Sequence, residues 1–364
     1  MATVERYQTK GGTLWRVRFR TPDRKQSQKR GFRTKRDAEL FAATVEVTKA
    51  RGEYVGAAAG RVTVGELGPA WLQRQRGHMK PSGFRSYESA WRNHVQPRWQ
   101  HTRISNVLFS DVQAWVAGLG LSASMTANTF SVLARILDDA VRDRLLPSNP
   151  ARGVKLPKRP PRHNTYLTAA QLQALADEAG RYRALVLLLG VGGLRWGEAA
   201  ALRVADVDFL RRRVRLHTNA VKVGGEFAVG LLKSNRNRTV VLPEFVLAAL
   251  AHTAEGRGRD ELLWPSSGGG YLGPPSSVGS WLSGAVERCR KADSTFPRIT
   301  AHDLRHTAAS LAISAGANPK VVQRMLGHAS AAMTLDVYAD LFESDLDAVA
   351  ENVAKMWPQQ AVSQ

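Results

Sequence analysis

The hydrophobic and polar positions change period several times along the chain, and each period predicts a type of element. Residues 14–20 (LWRVRFR) alternate with a period of two, which predicts a strand with one apolar face and one arginine face. A second short strand is expected to end at Phe32. Thr34 and Asp37 then stand at capping-box spacing before a helix that runs to about Arg51. The first segment, residues 1–56, is therefore predicted to be a small sheet with one helix.

The second segment, residues 61–152, has helical periodicity throughout. Its four predicted helices are Thr63–Gln75, Pro81–Val95, Asp111–Gly118 and Ala123–Leu145. The last helix carries a stripe of small and apolar residues made of Thr129, Leu133, Ile136, Leu137 and Ala140. We interpret Trp71, Trp91 and Trp115 as the core of this bundle, and exposed platforms for stacking bases are the alternative.

The third segment, residues 165–357, is predicted to be mostly helical with one β patch. Its predicted helices are Thr168–Ala179, Tyr182–Val191, Pro243–Thr253, Ser277–Arg290, Ala301–Ala315, Pro319–Leu326 and a helix from Ser344 onward. Its predicted strands are Val214–His217, Glu226–Val229 and Thr239–Leu242. The expected fold class is thus multidomain and mainly α with small β parts.

Composition excludes several classes of protein. The 364 residues contain one cysteine, Cys289, so neither a disulfide nor a cysteine-rich zinc site can form within the chain. No run of 18 apolar residues occurs, and no apolar stretch follows the charges of the N-terminus. We expect a soluble intracellular protein with no membrane partner.

The net charge of +21 indicates a polyanionic partner, with nucleic acid the first candidate. Residues 1–60 hold 14 basic and 6 acidic side chains, and residues 61–160 hold 15 and 6. The remaining 204 residues hold 23 and 19, so the excess is concentrated in the first 160 residues. This distribution favours an N-terminal half that grips a nucleic-acid backbone.

Two groups of cations are candidates for that grip. Arg16, Arg18 and Arg20 line one face of the first predicted strand, although a solvated basic face would give the same pattern. Lys158 and Arg159 lie in a proline-stiffened linker, which we interpret as a basic strap between two bodies that hold DNA. A plain spacer is the alternative.

The usual cofactor motifs do not occur in the sequence. There is no phosphate-binding loop, no dinucleotide fingerprint, no HExxH and no carboxylate cluster suited to two metals, so neither a cofactor nor a metal is expected. The third segment offers cations and histidines instead. Arg195 follows a glycine-rich turn at the start of a helix, where a guanidinium can grip two phosphate oxygens. His302 and Arg305 share one helix face and can both reach one phosphate.

In the order of its cations and histidines, the third segment resembles the tyrosine recombinase (phage integrase) family. The matching text is GGLRWGEAAALRVADVD at 192–208, KSNRNRTVVLP at 233–243, AHDLRHTAASLAISAGANPKVVQRMLGH at 301–328 and MTLDVYADL at 333–341. The resemblance covers essentially all of 165–345, because order, spacing and flanking residues agree. Residues 61–152 look like the helical core-binding domain of the family, and residues 1–56 look like the arm-type DNA-binding domain of many integrases.

The resemblance implies a role for each matching residue. Tyr338 would be the nucleophile, and Arg195 and Arg305 would clamp the scissile phosphate. His302 and His328 would hydrogen-bond its oxygens, with His302 also placed for proton transfer involving Tyr338. Two further roles are implied. Lys233 would protonate the leaving 5′ oxygen, with Lys222 as its nearest competitor, and Glu198 would support the first arginine.

Elementary chemistry agrees with this set. Phosphoryl transfer needs a positioned nucleophile and neutralised charge, which cations and histidines can provide without metal. A 3′-phosphotyrosyl bond conserves the energy of the broken phosphodiester, so religation needs no ATP.

The expected function is site-specific DNA recombination by an integrase of a phage or mobile element. The expected partners are double-stranded attachment sites, three further copies in a homotetramer, a host DNA-bending factor and an excisionase. The expected location is the cytoplasm of a bacterial host, in association with the nucleoid.

Three other functions compete with this one. An architectural DNA-binding protein without catalysis is the main alternative. A type IB topoisomerase would share the chemistry but would not need two N-terminal DNA-reading domains. An RNA-binding protein predicts aromatic residues on an exposed sheet, for which only Trp15 and Phe19 qualify. The tail from Leu341 to Gln364 is expected to dock on a neighbouring subunit or to cover its own domain.

Overall fold

The computed structural model describes residues 2–22, 24–52, 54–56, 59–160, 164–231, 237–275, 278–343, 351, 353 and 354. The chain forms two compact units, residues 1–161 and 162–364. The mainly helical layout with small antiparallel sheets confirms the expected fold class. The boundary drawn between 1–56 and 61–152 stays a prediction.

The N-terminal sheet is antiparallel, with strand order β1-β2-β3. Its elements are β1 (Thr3–Thr9), β2 (Gly12–Arg20), β3 (Gln26–Phe32) and the helix α1 (Lys35–Ala50) that covers one face. Val17 and Phe19 of β2 are buried under α1, so the predicted apolar face is confirmed. The backbone N–H of Asp37 donates to Thr34 Oγ1, so the predicted cap forms. The sequence pattern did not predict β1, whose alternation is weak because Val4 is its main apolar contact with the core.

The second core of this unit lies in a helical bundle. Its helices are α2 (Val64–Arg76), α3 (Pro81–Ala90), a π-helical turn (Trp91–Val95), α4 (Gln96–Trp99), α5 (Phe109–Gly118) and α6 (Ala123–Arg142). All five residues of the predicted stripe on α6 are buried. Trp71 and Trp91 are buried and Trp115 packs against the same core, which confirms their structural interpretation. The predicted end at Val95 was wrong, because the π turn carries the helix on to bury Trp99.

The second unit is built around the apolar helix α8. Its helices are α7 (Ala169–Glu178), α8 (Arg183–Gly192), α9 (Trp196–Ala200), α10 (Glu244–Ala254), α11 (Trp281–Ala292), α12 (Ala301–Ser314), α13 (Pro319–Leu326) and α14 (Ala331–Glu343). Its strands are β4 (Val207–Asp208), β5 (Arg213–Leu216), β6 (Thr218–Val223), β7 (Glu226–Leu231) and β8 (Arg238–Val241). They form a three-stranded sheet, β4-β5-β8, and a separate hairpin, β6-β7.

Three elements of this unit differ from the sequence prediction. The short strand β4 and the strand β6 were not predicted, and neither was α14, the helix that carries Tyr338. The backbone of Tyr338 is not helical (φ −128°, ψ 17°), so the helix kinks at this residue and its periodicity is broken. The predicted helix from Ser344 onward lies outside the described residues, except for residues 351, 353 and 354, which are helical.

Candidate active site

Two helices of the second unit end against each other, and each ends at a glycine. Gly193 follows α8 and Gly327 follows α13, and both adopt the left-handed conformation, with φ of 68° and 67°. A Cβ at Gly193 would lie 2.7 Å from Leu326, and one at Gly327 would lie 2.9 Å from Arg238. Glycine is therefore required at both positions by backbone conformation and by space. The two helix ends present their last carbonyl groups to one place.

Arg305 of α12 occupies that place. Its Nη1 donates to the carbonyl of Gly193 at 2.6 Å, and its Nη2 donates to the carbonyl of Leu326 at 2.7 Å. The residue is only 3% exposed. Burial and the neighbouring charge of Arg195 lower the pKa of Arg305 to about 9, so the guanidinium is still charged at neutral pH. The negative ends of two helices stabilise that charge.

Glu198 joins the other two arginines. It accepts hydrogen bonds from the backbone N–H and Nη1 of Arg195, at 2.8 and 2.9 Å. It also accepts two parallel bonds from Arg238, at 2.8 and 2.7 Å, and is 1% exposed. Burial alone would raise the pKa of Glu198, but the bonds with Arg238 and Arg195 hold that pKa below its usual range.

The end of α13 also holds Arg195 and Arg238. Arg195 Nη2 donates to the carbonyl of Gly327 at 3.3 Å, and Arg238 Nε donates to that of Met325 at 3.2 Å. We call Arg195, Arg238, Arg305 and Glu198 the arginine cluster. Three guanidinium groups and one carboxylate leave two net positive charges, fixed in place before any ligand arrives. The side chain of Arg195, at 29% exposure, is the most open of the four.

Tyr338 lies in a small core beside this cluster and is 1% exposed. Its kink leaves the carbonyl of Val337 to accept a hydrogen bond from Asn164 Nδ2, at 3.2 Å. The phenol oxygen lies 2.8 Å from Nδ1 of His306, one turn after His302 on α12. Burial raises the pKa of Tyr338 to about 12, with Arg305 opposing that shift. The phenol is therefore protonated at neutral pH.

His306 and His328 contact the Tyr338 ring, and His302 contacts His306. Burial, followed by the charge of His302, lowers the pKa of His306 to about 4, so the imidazole is neutral and able to accept a hydrogen bond. The ring of His302, which is exposed, lies 4.7 Å from the His306 ring. The ring of His328 is parallel to that of Tyr338, with centroids 6.5 Å apart. Its Nδ1 lies 2.9 Å from Oγ1 of the buried Thr334.

Burial and the positive charges of Arg305 and Arg195 lower the pKa of His328 to about 4. A neutral His328 that accepts from Thr334 at Nδ1 carries its proton on Nε2. In that tautomer it can donate to a phosphate oxygen.

Most of the residues singled out in the sequence meet at this site. Arg195, Glu198 and Arg305 belong to the arginine cluster, and His302, His328 and Tyr338 lie in the adjoining group of rings. Lys233 lies outside the described residues. Lys222, the alternative to Lys233, lies on β6, and its side chain is near Gly273.

Two residues of the site were missed by the sequence reasoning. Neither Arg238 nor His306 was given a role there. Both stand inside the matching motif text, so their charge and position were the available signal. The Tyr338 hydroxyl contacts His306, one helical turn after His302 on α12, and the role given to His302 stays a prediction.

The five DNA-binding candidates lie in the first unit. Arg16 is directly opposite Glu5 in the sheet, and its Nε donates to that carboxylate at 3.0 Å. Arg18 Nε lies 3.7 Å from the same carboxylate, and Arg20 is exposed. Arg16, Arg18 and Arg20 share the face that α1 leaves open, which we call the arm face. The other two candidates, Lys158 and Arg159, are both exposed.

Trp15 and Phe19 pack into the core under α1, so they do not form an exposed stacking platform. Among the described residues, no three His, Cys, Asp or Glu side chains converge in a way that can hold a metal ion. Across the same part of the chain, no helix is both long and apolar enough to span a membrane.

Comparison with known proteins identifies the family. The model of the phage integrase family matches residues 165–344, and that of an arm DNA-binding domain matches residues 4–49. A putative prophage phiRv2 integrase of Mycobacterium tuberculosis H37Rv is 30% identical over 281 residues, which cover 74% of this chain and 72% of the relative.

Solved structures show the same fold. The Tn1549 transposon integrase in complex with a circular intermediate DNA matches with a TM-score of 0.68 and 22% identity, over 79% of this chain and 99% of that one. A lambda integrase tetramer bound to a Holliday junction matches with a TM-score of 0.57 and 19% identity, over 89% and 95% of the two chains.

The chain belongs to the phage integrase family. Its enzyme class is that of the tyrosine-type site-specific DNA recombinases. The resemblance seen in the sequence is thereby confirmed, including the arm-type domain at the N-terminus.

Proposed function

We propose that this chain is the integrase of a phage or other mobile element. It joins two double-stranded attachment sites, and also excises the element, by cleaving and religating DNA through a 3′-phosphotyrosyl intermediate. The observation that carries the proposal is the arginine cluster beside the buried Tyr338 hydroxyl, because two fixed positive charges next to a phenol suit a single phosphodiester.

In this proposal Tyr338 attacks the phosphorus within its own subunit. The intramolecular contacts of its ring with His306 and His328 support attack in cis. Arg195 and Arg305 bind two phosphate oxygens. The bonds described above engage two of the five N–H groups of each, which leaves donors for the phosphate.

The remaining roles follow the same assignment. His302 and His328 donate to the phosphate oxygens, and Lys233 protonates the leaving 5′ oxygen. Glu198 keeps Arg195 and Arg238 in position. No cofactor or metal takes part in any of these steps.

The DNA-holding parts are assigned to the first unit. Residues 1–56 would bind arm-type sites through Arg16, Arg18 and Arg20, and residues 61–152 would bind the core site. Lys158 and Arg159 would contact the backbone between the two bodies. The exposure of the basic linker and of the open arm face supports this assignment.

The working form would be a homotetramer on two duplexes, by analogy with the lambda integrase tetramer bound to a Holliday junction. An arm-type domain suits a complex that also contains a host DNA-bending factor and an excisionase. The place of action would be the bacterial cytoplasm, at the nucleoid.

A suicide-substrate assay tests the proposal. Wild type and Tyr338→Phe are incubated with nicked duplexes tiled across the DNA that flanks the coding sequence, with chelator present and without ATP. We expect a covalent protein–DNA adduct from wild type alone, with equal DNA binding by both proteins. No adduct from either protein, on DNA that both bind tightly, would support the catalytically inactive architectural protein instead.

A further inference from the structure

His306 is a half-buried histidine that the proposed mechanism does not yet use. It lies on α12 directly after Arg305, and its Nδ1 is 2.8 Å from the Tyr338 hydroxyl. Its ring meets the tyrosine ring edge-on, with centroids 5.7 Å apart. The hydroxyl that has to become the nucleophile is therefore already hydrogen-bonded to an imidazole.

Three other polar groups lie close to Tyr338 in the described part of the chain, and none of them is placed to accept the proton of its hydroxyl. Arg305 has no acceptor atom and already donates to two carbonyl groups. Tyr166 carries a second phenol rather than a base, and its ring centroid lies 6.5 Å from that of Tyr338. His328 bonds Thr334 through Nδ1 and lies parallel to the tyrosine ring. The protonation states agree with this geometry, because at neutral pH the Tyr338 phenol donates and the His306 imidazole accepts.

We propose that His306 holds the Tyr338 hydroxyl in place and takes its proton during strand cleavage. The proposal rests on the proposed function, in which Tyr338 is the nucleophile. It assigns the tyrosine proton to His306, and leaves His302 to bind the phosphate.

Cleavage of one DNA strand by Tyr338 involves one bond formed, one bond broken and two proton transfers. A bond forms between Tyr338 Oη and phosphorus, and the bond between phosphorus and the 5′ oxygen breaks. The tyrosine proton passes to Nδ1 of His306, and the 5′ oxygen takes a proton from Lys233. Religation reverses both transfers, so His306 returns its proton to the departing phenol.

A weakly basic imidazole is adequate for this transfer. As the oxygen–phosphorus bond forms, the phenol oxygen loses its affinity for the proton, and the proton moves once the acceptor is in contact. The negative charge of a bound phosphodiester also makes His306 more basic than it is in the empty site. The Arg305 charge favours the phenolate throughout.

His306→Asn separates proton transfer from positioning, because the amide oxygen accepts a hydrogen bond but not a proton. His252→Asn, on the exposed side of α10, is the matched control. Two substrates are compared in single turnover at saturating protein. One has the normal 5′ oxygen, and the other has a bridging 5′ sulfur, which leaves as a thiolate and needs no proton.

We expect His306→Asn to slow adduct formation by about 10²–10⁴-fold on both substrates, the usual contribution of general acid–base catalysis. Lys233→Ala should lose activity on the oxygen substrate and recover on the sulfur substrate. Placing 3,5-difluorotyrosine at position 338 should restore the His306→Asn rate, because a more acidic phenol has less need of a base.

Three outcomes would overturn the proposal. They are a His306→Asn rate within a few-fold of wild type, a loss that the sulfur substrate repairs, and a loss that the fluorinated tyrosine does not repair. Absence of any adduct from wild type would instead remove the proposed function itself, and the inference with it.

A second measurement does not depend on a folded His306 variant. The ¹⁵N resonance of His306 Nδ1 is compared in wild type and in Tyr338→Phe. Loss of the phenol donor should shift that resonance clearly while the resonances of His252 stay in place. An unchanged His306 resonance would contradict the hydrogen bond and the proposal.

Discussion

Arginine meets two different environments in this chain, the arm face and the arginine cluster. On the arm face, Arg16 and Arg18 share the carboxylate of Glu5. The side chains of Arg16, Arg18 and Glu5 are 22–38% exposed. In the arginine cluster, Glu198 is 1% exposed and Arg305 is 3% exposed, and the carbonyl groups of two helix ends accept hydrogen bonds from the guanidinium groups. The arm-face side chains stay partly solvated, whereas Arg238, Arg305 and Glu198 are nearly desolvated and Arg195 keeps an open side toward a ligand.

One residue type therefore serves two tasks. Solvated cations can bind a DNA backbone of any sequence, and their attraction to the phosphates weakens as the salt concentration rises. Fixed and buried cations need no reorganisation when charge develops at one phosphate, so they suit a transition state. Substitutions in the two regions and a change of pH test this contrast.

The first prediction concerns the two carboxylates. Glu198→Ala should lower the free energy of unfolding by about 3–5 kcal/mol, because it leaves buried arginine charges without their partner. Glu5→Ala should cost less than about 1 kcal/mol, as expected for an exposed ion pair. Urea unfolding of the two variants measures both values. Equal effects would contradict the contrast between the regions.

The second prediction concerns a substitution that keeps the positive charge at position 305 and removes the forked shape of the guanidinium group. Arg305→Lys offers one nitrogen in place of a planar fork, so it cannot reach both carbonyl groups and a phosphate together, and adduct formation should slow by about 10²–10³-fold. Arg18→Lys is the matched change on the arm face and should leave the rate unaltered. Single-turnover adduct assays test both variants. An Arg305→Lys variant as fast as wild type would show that charge alone is sufficient.

The third prediction concerns acid. The pKa of both His306 and His328 is about 4 in the folded chain, against 6.5 as the ordinary value. Between these values the unfolded chain binds more protons, so the second unit should be fully stable above about pH 6.5 and lose stability as the pH falls toward 4. Residues 1–60 contain no histidine, so a histidine-linked loss of stability cannot arise there.

Urea unfolding between pH 7.5 and 4.5 measures the effect. His306→Asn removes one of the two titrating groups. The free energy of unfolding of the second unit should therefore fall less steeply with decreasing pH in this variant. A curve as steep as that of wild type would place the pH dependence elsewhere.

The fourth prediction is the smallest. Replacing Arg16, Arg18 and Arg20 by Gln should reduce the slope of log affinity against log salt by about 0.9 for each phosphate that the variant no longer neutralises. The adduct rate at saturating protein should not change. An unaltered salt slope would show that the arm face does not bind phosphate.

Local rules predicted much of this fold. The cap at Thr34 and the buried stripe of α6 follow from patterns within one turn or one helix. The strand β1 could not be predicted so easily, because as an edge strand it buries little apolar surface. The helix α14 could not be predicted from local periodicity either, because it kinks at Tyr338. Asn164, 173 residues earlier than Val337, donates a hydrogen bond to the carbonyl of Val337 at this kink.

The site divides in the same way. The motif order identified Arg195, His302, Arg305, His328 and Tyr338 as members of one site. It did not reveal their environment, because the hydrogen bonds of the arginines with two helix ends join residues that are far apart in sequence. The histidine after Arg305 shows the limit most clearly. Its hydrogen bond with the tyrosine depends on how α14 packs against α12, which no spacing rule contains.

The most direct test of the proposed chemistry is to map the covalent bond in the trapped adduct. Wild-type protein is trapped on the nicked substrate in the presence of chelator, digested with protease and nuclease, and sequenced by mass spectrometry. We predict a nucleotide joined through its 3′ phosphate to Tyr338. A bond to any other side chain, or an adduct that forms only when divalent metal is restored, would contradict that chemistry.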